Sequence, residues 1–129
     1  MIILGIDPGT TSIGYALLSV RERAREPDLL SAGVIRLQGT QENNRLFALH
    51  QEINALIAKW HPGCLATEKL FFAKNAKTAL AVSESRGAII LTAALAKISV
   101  YEYTPLEIKR TVSGYGRADK LQMQKMIRL

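Results

Sequence analysis

The sequence predicts an α/β fold built on a five-stranded mixed sheet, with a three-strand antiparallel meander, further parallel strands and flanking helices. Two observations predict it. Three short apolar runs follow one another within the first 37 residues, separated by turn signals. Two long segments with helical spacing come next, and each is followed by another short apolar run. Strands that alternate with helices in this way form parallel crossovers on one sheet.

The first run, Ile2 to Ile6, is continuously apolar and reads as a strand buried on both faces. It ends in the turn signal Asp7-Pro8-Gly9. Ile13 to Val20 reads as the second strand and Leu30 to Leu37 as the third. The charged, proline-containing stretch Arg21 to Asp28 connects them. From Asn44 to Trp60, Leu46, Leu49, Ile53, Leu56, Ile57 and Trp60 recur at three- and four-residue spacing, which predicts an amphipathic helix. His61-Pro62-Gly63 stops it. Cys64 to Leu70 is a fourth strand, and Asn75 to Ile98 a second long helix with Asn75 as its N-cap. Ser99 to Tyr103 is a fifth strand. Thr104-Pro105-Leu106-Glu107 then reads as a helix start, with Thr at the cap, Pro at the first helical position and Glu at the third. Gly114-Tyr115-Gly116 breaks that helix, and Ala118 to Leu129 forms a last one. The order is βββαβαβα plus a terminal helix. That last helix carries no stop signal, so the sequence reads as ending in mid-element, as a truncated piece of a longer protein.

The chain has 129 residues, the size of one domain, read here as residues 1–129. Its apolar content of 48% and charged content of 22% are those of a globular protein and exclude a disordered or collagen-like chain. The longest apolar run, Gly87 to Ala96, is shorter than the roughly 20 residues that span a bilayer, so no membrane role is expected. No signal peptide is visible. The single cysteine, Cys64, has no partner for an internal disulfide, consistent with a reducing compartment. The net charge of +6 is uneven. Residues 1–68 hold six Lys/Arg against seven Asp/Glu, whereas residues 69–129 hold eleven against four. A basic half points to a polyanion, most often nucleic acid, or else to a solvated basic face.

Two acids stand at the ends of apolar strands, Asp7 after the first and Glu68 near the end of the fourth. The long helix between them is a crossover, so the two strands can be sheet neighbours with both carboxylates at one edge. Active sites of such sheets lie at that edge. Converging hard oxygen ligands favour Mg²⁺, or Mn²⁺, and such ions promote in-line phosphoryl displacement. Asp7 also suits a turn former, and Glu68 a salt bridge to a nearby lysine. The pair, followed by a basic half, favours a metal-dependent nuclease.

Lys69 to Lys77 combines Phe71 and Phe72 with Lys74, Asn75 and Lys77 just before a helix N-terminus. Lysines and helix N-termini suit phosphates, and an outward Phe71 can wedge between or stack on bases. The second long helix is apolar around most of its circumference and needs cover on two sides. A second copy of the chain is the favoured cover, giving a homodimer. Lys109, Arg110, Arg117 and Lys120 flank Gly114-Tyr115-Gly116 as a basic loop that tracks a phosphate backbone, or as a solvated loop.

The opening Gly-Ile-Asp-Pro-Gly-Thr, the segment from Glu68 through Phe71-Phe72-Ala73-Lys74-Asn75-Ala76, the Arg86-Gly87 pair and the Lys109/Lys120 region together resemble the RuvC family of bacterial Holliday junction resolvases, within the ribonuclease H-like superfamily. The resemblance covers essentially the whole chain. It implies a cytoplasmic, homodimeric endodeoxyribonuclease of DNA recombination and repair that nicks two opposed strands of a four-way junction, with RuvA and RuvB as partners. It implies four carboxylates and Mg²⁺, with Asp7 and Glu68 matching the first two. It also implies insertion of Phe71 at the junction centre, and Lys109 and Lys120 beside the scissile phosphate, with Lys74, Asn75, Lys77, Arg86 and Arg117 as further DNA contacts. The family's third and fourth acids lie on a C-terminal helix missing from this sequence, and Asp119 comes too early to replace them. The 129 residues by themselves are therefore expected to bind Mg²⁺ weakly and cleave little, and the parent protein to be active. Two competing readings are a non-catalytic junction-binding module and, because Gly5 to Ser12 is similar to a phosphate loop, an ATP-binding lobe of the actin-like superfamily.

Overall fold

A computed structural model describes residues 1–38, 41–69 and 76–113. The element order is β1 (Ile2–Asp7), β2 (Ser12–Ser19), β3 (Asp28–Arg36), α1 (Glu42–Trp60), β4 (Cys64–Glu68), α2 (Ala76–Leu95), β5 (Ser99–Tyr103) and α3 (Pro105–Ser113). The five strands form one sheet in the order β3-β2-β1-β4-β5. β1, β2 and β3 pair antiparallel, as the short connections between them require, and β1–β4 and β4–β5 pair parallel across the two helical crossovers. This is the mixed sheet expected from the apolar pattern. The terminal helix expected from Ala118 lies outside the described residues.

Alternation along the strands sorts the sheet into two faces. Leu4, Ile6, Ile13, Leu17 and Leu65 form the core with Leu49, Ile53 and Ile57 of α1 and Ile89 and Ala93 of α2. Both long helices therefore cover one face of the sheet, and α2 also packs on α1. The apolar run from Gly87 belongs to a longer stretch of α2 that is long and apolar enough, by length and composition alone, to cross a membrane. In the fold it is a core helix whose Ser85, Ile89, Thr92 and Ala93 are buried. Its other side is open, with Leu80, Leu91 and Leu95 exposed.

The helix ends have local causes. α1 stops at His61, whose left-handed backbone (φ 49°) lets its N–H donate to the Ile57 carbonyl at 2.9 Å. α2 stops at Leu95, three residues before the expected end. Lys97 turns left-handed (φ 59°), its N–H donates to the Ala94 carbonyl at 3.0 Å, and the Ile98 N–H donates to the Ala93 carbonyl at 2.9 Å. This is a Schellman stop without glycine, and its apolar contact is supplied by Ile98 packing on the core. The start of α3 is the expected capping box. The Glu107 N–H donates to Thr104 Oγ1 at 3.1 Å, and the Thr104 N–H donates to Glu107 Oε2 at 2.7 Å. β3 begins at Asp28 rather than Leu30. Asp28 pairs with Ser19 in the ladder and its carboxylate with Arg21 at 2.6 Å, so part of the charged connection is strand.

Candidate active site

Parallel pairing runs from Ile3 opposite Cys64 to Ile6 opposite Thr67. The next residue on each strand is Asp7 and Glu68, so both carboxylates stand at the same edge of the sheet. By strand alternation they share the face opposite α1 and α2. They line one cavity of about 580 Å³ together with Gly5, Gly14, Ala16, Ala66, Tyr103 and Ile108. The small residues leave room beside the acids. Gly14 pairs with Asp7, and a Cβ there would stand 3.6 Å from the Asp7 Cβ.

The electrostatics follow from this placement. Burial raises the pKa of the Glu68 carboxyl above the ordinary carboxylate range. The nearby charge of Asp7 raises it further, and the Lys109 cation lowers it. α3 brings Lys109 there, held in place by the Thr104–Glu107 cap one turn earlier. Neither carboxylate has a hydrogen-bond or salt-bridge partner among the described residues. A half-buried Glu68 carboxylate and an exposed Asp7 carboxylate that repel each other across a roomy edge, with oxygen donors only, fit a hard divalent cation. No group of three or more His, Cys, Asp or Glu residues converges among the described residues, so Asp7 and Glu68 are the whole donor set there.

The direction of the Glu68 shift gives a signed expectation. Because the fold holds the proton more tightly than the unfolded chain does, protonated Glu68 favours folding. That advantage is complete below the ordinary carboxylate pKa and is lost as pH rises through the raised value. A cation competes with the same proton. Affinity for Mn²⁺, followed by electron paramagnetic resonance, should therefore fall as pH drops through the raised pKa, by up to about tenfold per pH unit for one proton. Glu68→Gln should remove that dependence; an unchanged slope in the variant would mean that another group binds the competing proton.

The other candidates fall in several places. Lys77 lies exposed in the first turn of α2. Arg86 also lies on α2, but its guanidinium forms an ion pair with Glu102 of β5. Its charge is thereby committed to joining helix and sheet, which sequence reasoning did not foresee. Phe71, Lys74, Asn75, Arg117 and Lys120 lie outside the described residues. Sequence reasoning missed Tyr103, which pairs with Glu68 in the β4–β5 ladder, and Gly14, which pairs with Asp7. Strand register is the signal that finds both.

The chain has clear relatives. The family model described as "Crossover junction endodeoxyribonuclease RuvC" matches residues 3–129. The RuvC crossover junction endodeoxyribonuclease of Moorella thermoacetica is 48% identical over 128 residues, 98% of this chain and 75% of the relative. That of Halothermothrix orenii is 42% identical over 129 residues, 99% of this chain and 77% of the relative. Among solved structures, Thermus thermophilus RuvC in complex with Holliday junction substrate superposes with a TM-score of 0.89 at 29% identity, covering 99% of this chain and 78% of that one. With the family model matching residues 3–129, nearly all of the chain, and with the mixed sheet and two edge carboxylates the resemblance implies, the chain belongs to the RuvC family of crossover junction endodeoxyribonucleases.

Proposed function

We propose that this chain is the nuclease domain of a Holliday junction resolvase. In this reading it hydrolyses one phosphodiester on each of two opposed strands of a four-way DNA junction. The observation that carries the reading is the side-by-side placement of Asp7 and Glu68 on parallel strands, in a cavity walled by small residues. The Thermus thermophilus relative, solved in complex with Holliday junction substrate, suggests the substrate class.

Asp7 and Glu68 would hold Mg²⁺, with Mn²⁺ as a substitute. Bound there, the ion would polarise the phosphoryl group and lower the pKa of a coordinated water. The protein's own part is to place both acids at one edge and to leave space over Gly14 and Ala66 for a sugar–phosphate backbone. Lys109 sets positive charge beside the acids, where negative charge develops during displacement. Lys77, and in the resemblance Lys74, Asn75, Arg117 and Lys120, contact phosphates, while Phe71 enters the junction centre. With only these two carboxylates as donors among the described residues, weak Mg²⁺ binding and little cutting are expected of the 129 residues by themselves. The direct test offers the intact protein that carries this sequence a labelled four-way junction and a linear duplex of the same arms. Mg²⁺-dependent, paired nicks in the junction alone are expected. Equal cutting of the duplex, or nicking that persists in EDTA, would refute the reading.

The open side of α2 supports a homodimer. Leu80, Glu84, Gly87, Leu91 and Ala94 follow each other at spacings of four and three, which makes a single stripe. A Cβ on Gly87 would meet nothing within 4 Å. Glycine in mid-helix costs about 0.5–1 kcal/mol relative to alanine, and nothing among the described residues calls for it. Close approach of a second α2 does. Such a two-fold dimer presents two sites to two opposed strands. Leu91→Lys should shift the intact protein to monomer in sedimentation experiments; a dimer that persists with unchanged affinity would move the interface elsewhere. In the same proposal the protein acts in the bacterial cytoplasm together with RuvA and RuvB.

A further inference from the structure

Among the described residues, Arg45 is the one charged side chain in the interior, 7% exposed on α1. Its guanidinium has four acceptors on two other parts of the chain. Nη1 donates to the Thr10 carbonyl at 2.9 Å and to Ser85 Oγ at 2.6 Å. Nη2 donates to the Ala81 carbonyl and to Glu84 Oε2, both at 3.4 Å. Ser85 in turn donates to the Ala81 carbonyl at 3.3 Å, which leaves its oxygen lone pairs directed at the arginine.

Thr10 is the residue that follows Asp7-Pro8-Gly9. The turn is tight: a Cβ on Gly9 would lie 2.2 Å from the Ser12 carbonyl oxygen. Its far end is tied to the sheet, because the Leu37 N–H donates to the Thr11 carbonyl at 2.7 Å. Arg45 holds its middle. A well-packed apolar residue often replaces a buried charge without loss of stability, so packing alone does not call for arginine here. A fork that spans a turn carbonyl and a helix does call for it, since lysine offers a point charge in place of two divergent arms.

We propose that Arg45 is a positioning residue: it fixes the turn after Asp7 against α2, so that the Asp7 carboxylate meets Glu68 in the geometry a shared divalent cation requires. The proposal rests on the metal-dependent reading above. It also makes α2, which carries Lys77 and the open stripe, mechanically continuous with the turn that bears Asp7.

The test uses the intact protein, with Mn²⁺ binding followed by electron paramagnetic resonance in the absence of DNA. Groups that orient metal ligands typically change affinity by about 10–100-fold when altered, and Arg45→Lys is expected at the lower end, about tenfold weaker. Junction affinity without divalent ions should stay within about twofold, because Arg45 is buried away from phosphates. Cleavage should recover as Mn²⁺ is raised. A folded Arg45→Lys protein that melts lower yet binds Mn²⁺ as tightly as the parent overturns the assignment, leaving Arg45 a stability role only. Should Arg45→Lys fail to fold, Ser85→Ala, which removes one of the four acceptors, decides. A weakening of about threefold, the worth of one hydrogen bond, supports the proposal, and an unchanged affinity overturns it. Asp7→Asn separates the two levels: if that variant keeps full Mn²⁺ affinity, the metal site itself is misassigned, whatever Arg45 does.

Discussion

Asp7→Asn is expected to slow junction cleavage by the intact protein by at least about 10³-fold while junction affinity stays within about threefold. Metal-assisted stabilisation of a phosphoryl transition state is worth several kcal/mol, and each 1.36 kcal/mol is a factor of ten in rate. Asparagine keeps the shape of the turn but trades an anionic oxygen for an amide that repels a cation. In the proposed function DNA affinity comes from lysines outside the acid pair, which the substitution leaves alone. The same change removes the repulsion that Asp7 exerts on Glu68, so the Glu68 pKa should move down and the metal-free protein should not lose stability. Single-turnover cleavage, junction binding and a thermal melt in EDTA measure the three arms. Cleavage that survives would remove Asp7 from the chemistry.

Leu65→Ala is expected to be the most damaging simple truncation for stability. Leu65 is fully buried on β4, between Leu4 of β1 and Val100 of β5 in the ladder, and belongs to the core formed with α1 and α2. Emptying such a site costs about 2–5 kcal/mol, against a total of about 5–15 kcal/mol for a domain. At about 3–5 °C per kcal/mol for a chain of this size, the melting temperature should drop by about 6–25 °C. Val34→Ala on the exposed part of β3 should change stability by no more than about 0.5 kcal/mol. Circular dichroism melts of both variants check the pair, and a Leu65→Ala protein melting within about 3 °C of the parent would contradict the burial.

Much of this could be read from the residues in order. Apolar runs punctuated by Asp7-Pro8-Gly9 and His61-Pro62-Gly63 mark strands and helix ends because turn chemistry is local. The convergence of Asp7 and Glu68 followed from two parallel strands, each ending in an acid, and the order β3-β2-β1-β4-β5 realises it. The features that escaped depend on distant partners. Arg45 sits among the polar positions of an amphipathic helix, and only Ser85 and Thr10, far off in sequence, reveal that it points inward. Arg86 reads as a free cation until β5 brings Glu102 against it. The end of α2 was overrun because Lys97 adopts a left-handed backbone that glycine usually signals. The start of β3 is hidden because charge normally marks a loop, whereas Asp28 finds both a ladder partner and Arg21.

The β1–β4 ladder joins Ile6 to Thr67, with β2, β3 and α1 lying between them along the chain. Contacts of such long sequence separation form late, because the intervening loop must close before they return any energy. A ribosome-bound or half-folded molecule thus holds its two acids apart and has nowhere to seat a cation. If the two acids hold the cation as proposed, cleavage is expected only once the β1–β4 ladder has formed.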